Sequence, residues 1–494
     1  MAKIGVEETH PLSGNYLLAN DITLTDWLPI GDQENPFIGV FDGNEKKITL
    51  NSFDGTAVSE KTYLGIFGYV KGASASAKAE IKNLTINSSV NAASTMASGQ
   101  AVGLAAGYAE LTVIENITLT GTFDFQSEKT IFTGGVAGFI SGEGTLVKNS
   151  KSSLTMNIVP GSGSGLAGAY NYVGGFVGIF RNGAGIENCH NTGDLIADNA
   201  ASTVSGQVFV GGIAGGSAYG FITAYQGYIK DSSFTGTVTG RATGDWTFVG
   251  GIAATICGGN VNNMAATTRI ERCFATGTVS NQGDLSGFPY IGGVVAYNYY
   301  GALVSQSYFD GEVIAGKSGD YTGGIAGYNS QALSPNNSRI EDCWSSGTVS
   351  GVGNAGGIVG QNQVNTYVRR CYSTAEVSAN GGIVGGIAGL NASNMSDGAI
   401  TACVALNPSI TISTGRNIHR IVGNTGSGNL SNNYAWLGMV VATGGAYTSA
   451  IGDTFADGAN CDEKPTQNFY EGLGWDFTTI WKMGADDYPK LRWQ

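Results

Sequence analysis

Five cysteines recur at one position of a repeated pattern. Cys189, Cys273, Cys343, Cys371 and Cys403 each close a short segment led by Ile or Val, as in Ile186-Glu187-Asn188-Cys189. Thiols at a fixed place could bind a metal or bridge neighbouring repeats, since equivalent residues of adjacent parallel strands lie about 4.8 Å apart. Against both, Ser232 and Ser307 take that place in other repeats, the total of seven is odd, and no Cys-x-x-Cys spacing occurs. A column of small inward-facing thiols is the favoured expectation, because Cys prefers buried sites. No residue is assigned as a metal ligand.

Carboxylates are the next chemical candidates. Cleaving a glycosidic bond needs two of them converging on a groove, about 5 to 10 Å apart. Asp231 and Asp342 share a repeat position with Arg272 and Arg370, which reads as a solvated polar column. Asp42, Asp310, Asp320, Asp462, Glu463, Asp486 and Asp487 are scattered among turns. The glycine pairs lack the spacing of a phosphate-binding loop. No catalytic residue is assigned and no cofactor is implied, although an acidic loop could hold Ca2+ at a place that nothing marks.

Binding residues are easier to nominate. Tyr219, Tyr225, Tyr228, Tyr297, Tyr299, Tyr300 and Tyr328, with Phe221, follow Gly-rich segments in stretches of variable length. Aromatics on loops of one face suit sugar rings or protein partners, and the competing expectation is that they cover coil edges. Asn298, Asn329, Asn362 and Asn391 each fall six residues after the first Gly of their repeat. They form either a polar binding stripe or, as favoured, a ladder of amides hydrogen-bonded along the stack.

All these residues hang on one motif, Gly-Gly-[Ile/Val/Phe]-[Ala/Val]-[Gly/Ala]. It occurs eight times, from Gly134-Gly135-Val136-Ala137-Gly138 to Gly385-Gly386-Ile387-Ala388-Gly389, at intervals of 29 to 42 residues. Such a period marks a repeat architecture. Each unit joins a Gly-Gly strand, an Ile-Glu-Asp-Cys type segment and a Gly-Thr-Val strand, so about three strands per coil are expected. Helical periodicity is absent. The expected fold is all-β: a right-handed, single-stranded parallel β-helix, or β-solenoid, of ten to twelve coils. Paired glycines would turn a corner at positive φ or bring coils close together. The whole chain reads as one elongated domain: N-terminal coils over 1–60, repeat coils over 61–436, and an aromatic-rich C-terminal cap over 437–494. The tail's tryptophans are expected to plug the last coil, whose open edge needs cover.

Composition agrees with a folded, turn-rich chain: Gly is 78 of 494 residues, 42% are hydrophobic, and 13% are charged. The net charge of −13 argues against nucleic acid and anionic membrane surfaces as partners. No apolar run is long enough for a membrane span, and the first residues lack the apolar core of a signal segment. Composition favours export over a cytoplasmic location.

The eight Gly-Gly strands resemble the GLUG motif of bacterial secreted and surface proteins, especially those of gut Bacteroidales. Two further stretches carry the likeness. One is Asp21-Ile22 with Trp27, Pro29-Ile30-Gly31 and Phe41-Asp42-Gly43-Asn44; the other is Gly474-Trp475-Asp476-Phe477 with Trp481 and Tyr488-Pro489-Lys490-Leu491. The resemblance implies a right-handed β-helix, export, a lipid anchor outside this chain, and adhesin-like binding of a host or microbial surface glycan or protein. Some relatives join such repeats to an IgA-cleaving metalloprotease. That does not transfer, because His10, His190 and His419 are the only histidines and no His-Glu-x-x-His occurs. The expectation is therefore a non-enzymatic adhesin-like scaffold. The alternatives are a polysaccharide lyase or glycoside hydrolase built on a β-helix, and a structural stalk.

Overall fold

The computed structural model describes all residues except 162–169, 200–205, 218–225, 243–245, 259–266, 283–286, 317–319, 331–336, 393–398, 415–416, 427 and 445–455. The chain winds as a parallel β-helix with three walls. Sheet I has 11 strands, from Tyr63–Leu64 to Asn417–His419, and sheet II has 11, from Phe67–Lys71 to Val422–Asn424. Sheet III is the long third wall of 29 strands. Among the described residues the first two sheets mark eleven coils, within the expected range.

One coil shows the logic. Tyr170–Gly174 lies in sheet I and Val177–Arg181 in sheet II, then Ala184–Asn191 and Leu195–Asp198 run along sheet III. The next coil begins at Gln207–Gly211 and pairs in parallel, Gly174 opposite Gly211. Alternation sends Val173 and Val177 inward and Tyr172 and Ile179 outward into a separate apolar cluster. The Gly-Gly motif, read from the sequence as one strand, is the corner between two.

The corner glycines act through space rather than through φ. None of the paired glycines has positive φ. A Cβ on Gly174 would strike the Val177 carbonyl, and one on Gly175 would strike the Gly212 carbonyl of the next coil. Close packing of coil on coil, the second of the two expected reasons, is therefore the one that applies. Left-handed backbone belongs to another column. Asn83, Asn116, Asn149, Asn188, Asp231, Arg272, Gln306, Asp342, Arg370, Ala402 and Asn432 all have φ between 47° and 55°. This column breaks sheet III once per coil, and Asn and Asp tolerate that conformation best. Its side chains bond along the axis: Asn116 Nδ2 donates to Asn83 Oδ1 at 2.9 Å, and Asn188 Nδ2 to Asn149 Oδ1 at 2.9 Å.

The interior columns match their expected roles. Cys189, Cys273, Cys343, Cys371 and Cys403 are unbridged thiols with no exposed surface, stacked in the core. Ser232 Oγ accepts the Cys189 backbone N–H at 3.1 Å, so serine serves the same column as a hydrogen-bonding substitute. The asparagine ladder is continuous. Nδ2 donates to the next Oδ1 from Asn298 to Asn329, Asn329 to Asn362 and Asn362 to Asn391, at 2.8, 2.8 and 2.9 Å. All four are fully buried, inside the helix rather than on a binding surface.

Outside sheet III a row of charges alternates in sign. Asp42, Lys82, Glu115, Lys148, Glu187, Lys230 and Glu271 stand opposite one another on successive coils. Lys148 Nζ lies 2.9 Å from Glu115 Oε2. Opposite charges facing across a strand pair each contribute a few tenths of a kcal/mol.

The C-terminal aromatics do something other than plug the last coil. The last rung is Ala459–Cys461, paired in parallel with Tyr434–Trp436. The tail then turns and runs back along the outside of sheet III as a strap. Phe469 packs on Tyr434, Trp475 Nε1 donates to the Ala402 carbonyl, and Trp481 Nε1 to Asp342 Oδ1. Tyr372 Oη donates to the Pro489 carbonyl, and Trp493 Nε1 to the Gln306 carbonyl. The strap covers a stacked outward ladder, Phe274, Tyr308, Trp344 and Tyr372, with ring centroids 4.9, 4.5 and 5.8 Å apart. Rings spaced one per coil, facing outward, offered the tryptophans a lateral apolar track to bury against.

Candidate functional site

Sheets I and II fold toward each other on their outer faces, leaving a furrow parallel to the axis. Two rows line it. The residue two before the first Gly of each motif supplies the sheet I row: Phe132, Tyr172, Phe209, Phe248, Tyr290 and Tyr321. The residue five after it supplies the sheet II row, which includes Phe139, Ile179, Tyr297 and Tyr328. Rings of one coil touch across the corner: Phe132 with Phe139 at 5.9 Å, Tyr290 with Tyr297 at 5.5 Å, Tyr321 with Tyr328 at 5.0 Å. Rings of successive coils also stack, Phe209 on Phe248 at 4.3 Å and Phe248 on Tyr290 at 4.8 Å.

The furrow differs along its length. Tyr172, Phe209 and Phe248 have no exposed surface, so there the rings act as a second core. Further toward the C-terminal coils Tyr297, Tyr321 and Tyr328 are half-buried. Burial pushes the Tyr328 phenol up to about 12 and raises that of Tyr321. Both therefore remain protonated hydrogen-bond donors near neutral pH. Beside Tyr321 lies a hollow of about 450 Å3 lined by Phe288, Asp320, Val352, Gly353, Asn354 and Asn380. Phe288 stands half exposed at its edge. Asp320 is buried and already occupied, accepting from Thr322 Oγ1 and the backbone N–H groups of Val352 and Gly353.

The nominated tyrosines divide. Tyr297 and Tyr328 line the furrow, on strands Val295–Tyr299 and Ala326–Ser330 rather than on loops. Tyr299 lies on the first of these strands, nearly buried, its ring stacked on Tyr297 at 4.6 Å; Tyr300 follows it. Tyr228 is on sheet III, under the Arg269 guanidinium at 5.3 Å, away from the furrow. Tyr219 and Tyr225, with Phe221, lie outside the described residues. Tyr290 and Tyr321 also line the furrow but precede the glycines, outside the stretches from which binding aromatics are nominated. An aromatic two residues before six consecutive Gly-Gly pairs was the available signal.

The other chemical candidates stay apart. Asp231 is gripped by Arg272 at 2.7 Å and Asp342 by Arg370 at 2.8 Å; the first pair is the solvated column expected, whereas Asp342 is buried beneath Trp481 of the strap. His10 sits beside Glu7, His190 bonds Ser233 and Asn188, and His419 faces Asp457 at 3.3 Å. Among the described residues no group of three His, Cys, Asp or Glu could hold a metal ion, and no helix is long and apolar enough to cross a membrane.

Comparison with known proteins places the repeat. No curated protein matches the chain. A solved structure from Bacteroides ovatus, described as a "putative immunoglobulin A1 protease", is similar at 14% identity, covering 97% of this chain and 86% of that one with a TM-score of 0.27. The model of the family described as the GLUG motif matches residues 169–196, the coil whose corner is Gly174-Gly175. The chain thus carries a GLUG motif, seated on one coil of a parallel β-helix.

Proposed function

We propose that this protein is a secreted or surface-attached binding scaffold of adhesin type, and that its furrow takes surface glycans. The observation that carries the reading is the half-buried tyrosine pair Tyr321 and Tyr328, ring against ring, beside the hollow at Asn354 and Asn380. Sugar rings stack their C–H faces on aromatics while amides and phenols meet their hydroxyls, and a concave site with a few convergent polar groups is the usual place for both. The net charge of −13 suits a neutral ligand better than a polyanion.

The test is a glycan-array screen of purified protein with and without Ca2+, followed by a reducing-end assay on each hit. Binding without new reducing ends is expected. New reducing ends, lost on mutating a carboxylate, would replace the scaffold with a lyase or hydrolase. Silence on every glycan would leave a protein ligand or a stalk.

A further inference from the structure

Below Tyr290 the furrow does not end; it changes lining. The sheet I row continues in register from Tyr290 to Tyr321, Asn354, Ile383 and Asn417. The sheet II row continues from Tyr297 to Tyr328, Gln361, Leu390 and Asn424. Five successive rungs therefore carry a phenol pair, a second phenol pair, an amide pair, an aliphatic pair and a second amide pair. Of these ten side chains Tyr290 and Gln361 are nearly buried; seven of the others are half-buried and Asn417 is exposed. None is charged. Asp320, in the hollow beside Tyr321 and Asn354, is spent on Thr322 and its backbone partners.

We infer that this stretch is a track for a neutral, unbranched polysaccharide lying along the helix axis. The inference rests on the glycan-binding reading above and names the class of glycan. Three features select it. Rungs about 4.8 Å apart repeat at close to the length of one pyranose in an extended chain, so successive sugars meet successive rungs. Four intervals span about 19 Å, room for four or five sugars. Phenols, amides and aliphatics suit hydroxyls and ring faces, whereas a uronate or sulfated chain would require Arg, Lys or bound cations that the ten positions do not supply. The hollow beside Tyr321 and Asn354 opens from the side of the second and third rungs, where a hydroxymethyl group of the chain would project.

The test is calorimetric titration with neutral linear oligosaccharides of one to eight residues, and in parallel with oligogalacturonate and heparin fragments, at low and high salt. Affinity for neutral chains is expected to rise with length to four or five residues and then level off, with no dependence on salt. Tyr321→Ala and Tyr328→Ala should each weaken it about tenfold while keeping the circular dichroism of the wild type and a cooperative melt; Tyr108→Ala, which removes the ring that pairs with Phe139 one coil earlier in the sheet II row, should not. Binding confined to the anionic chains and lost in salt would overturn the neutral track but keep a glycan-binding protein. Neutral binding lost in Tyr108→Ala and kept in Tyr321→Ala would overturn the location. Failure to bind any glycan would overturn this inference and the parent reading together.

Discussion

Replacing Asn362 by Ala would remove the middle of the buried ladder. Its Oδ1 accepts Asn329 Nδ2 at 2.8 Å and Thr366 Oγ1 at 2.7 Å, and its Nδ2 donates to Asn391 Oδ1 at 2.9 Å. After truncation Asn391 Oδ1 loses this donor, and Asn329 Nδ2 keeps only a 3.3 Å bond to the Tyr367 carbonyl. Each buried group left short of a partner costs about 1–3 kcal/mol, so about 3–5 kcal/mol is expected for the single change. The same interior position in earlier coils is Ile140, Phe180 and Ile256, which shows that the coil accepts apolar side chains there. Changing Asn298, Asn329, Asn362 and Asn391 together to Ile or Leu should therefore cost no more than the single truncation, because no amide is stranded. Urea melts report the size, and hydrogen exchange of amides in coils 290–425 reports the place. If the fourfold variant loses about four times what the single variant loses, the ladder is a set of independent bonds and the reasoning fails.

Gly175→Ala would force a Cβ against the Gly212 carbonyl; a loss of about 1–3 kcal/mol or more is expected, read as a lower urea midpoint with unchanged slope. Trp481→Ala removes a fully buried indole from the strap at about 3–5 kcal/mol. The expected result is selective proteolysis after residue 461 with the coils left intact, and a chain digested throughout would contradict a separable strap. Burial raises the Cys189 and Cys273 thiols from 9.0 to about 12, so the folded state holds protons that the unfolded state releases. Stability should be unaffected by these thiols below pH 9 and fall between pH 9 and 12, by about 1.4 kcal/mol per pH unit for each. Cys→Ser at both positions should flatten that decline in pH-dependent melts.

The repeat, and through it the helix, was legible because a coil must place the same residue type at the same corner. Gly174 and Gly211 face each other in the structure as they align in the sequence. The thiol column and the amide ladder were legible for the same reason, since a column in space is a period in sequence. The furrow was half legible. Tyr297 and Tyr328 were found, but Tyr290 and Tyr321 belong to the preceding strand, and nothing short of the fold reveals that two strands share an outer corner. The strap was not legible at all. Trp475, Trp481 and Trp493 announce an apolar partner without saying whether it is a coil's end or its side. Nor was the left-handed column: Arg272, Arg370 and Ala402 adopt a backbone their types do not favour, because the coils above and below already turn there.

Near-identical repeats run a risk of pairing with the wrong neighbour as they fold. The alternating charges on sheet III bear on it. In correct order Glu115 meets Lys82 and Lys148. Were the coil of Lys148 looped out, Glu115 would meet Glu187 at the splice, while the later pairs Glu187–Lys230 and Lys230–Glu271 would stay as they are. The seven-residue row thus works as a parity check on assembly: native order gives attraction at each step, and an omission of one coil gives repulsion at the splice. Hydrophobic columns cannot make this distinction, because Ile186 and Ile229 are interchangeable as partners. Sign can.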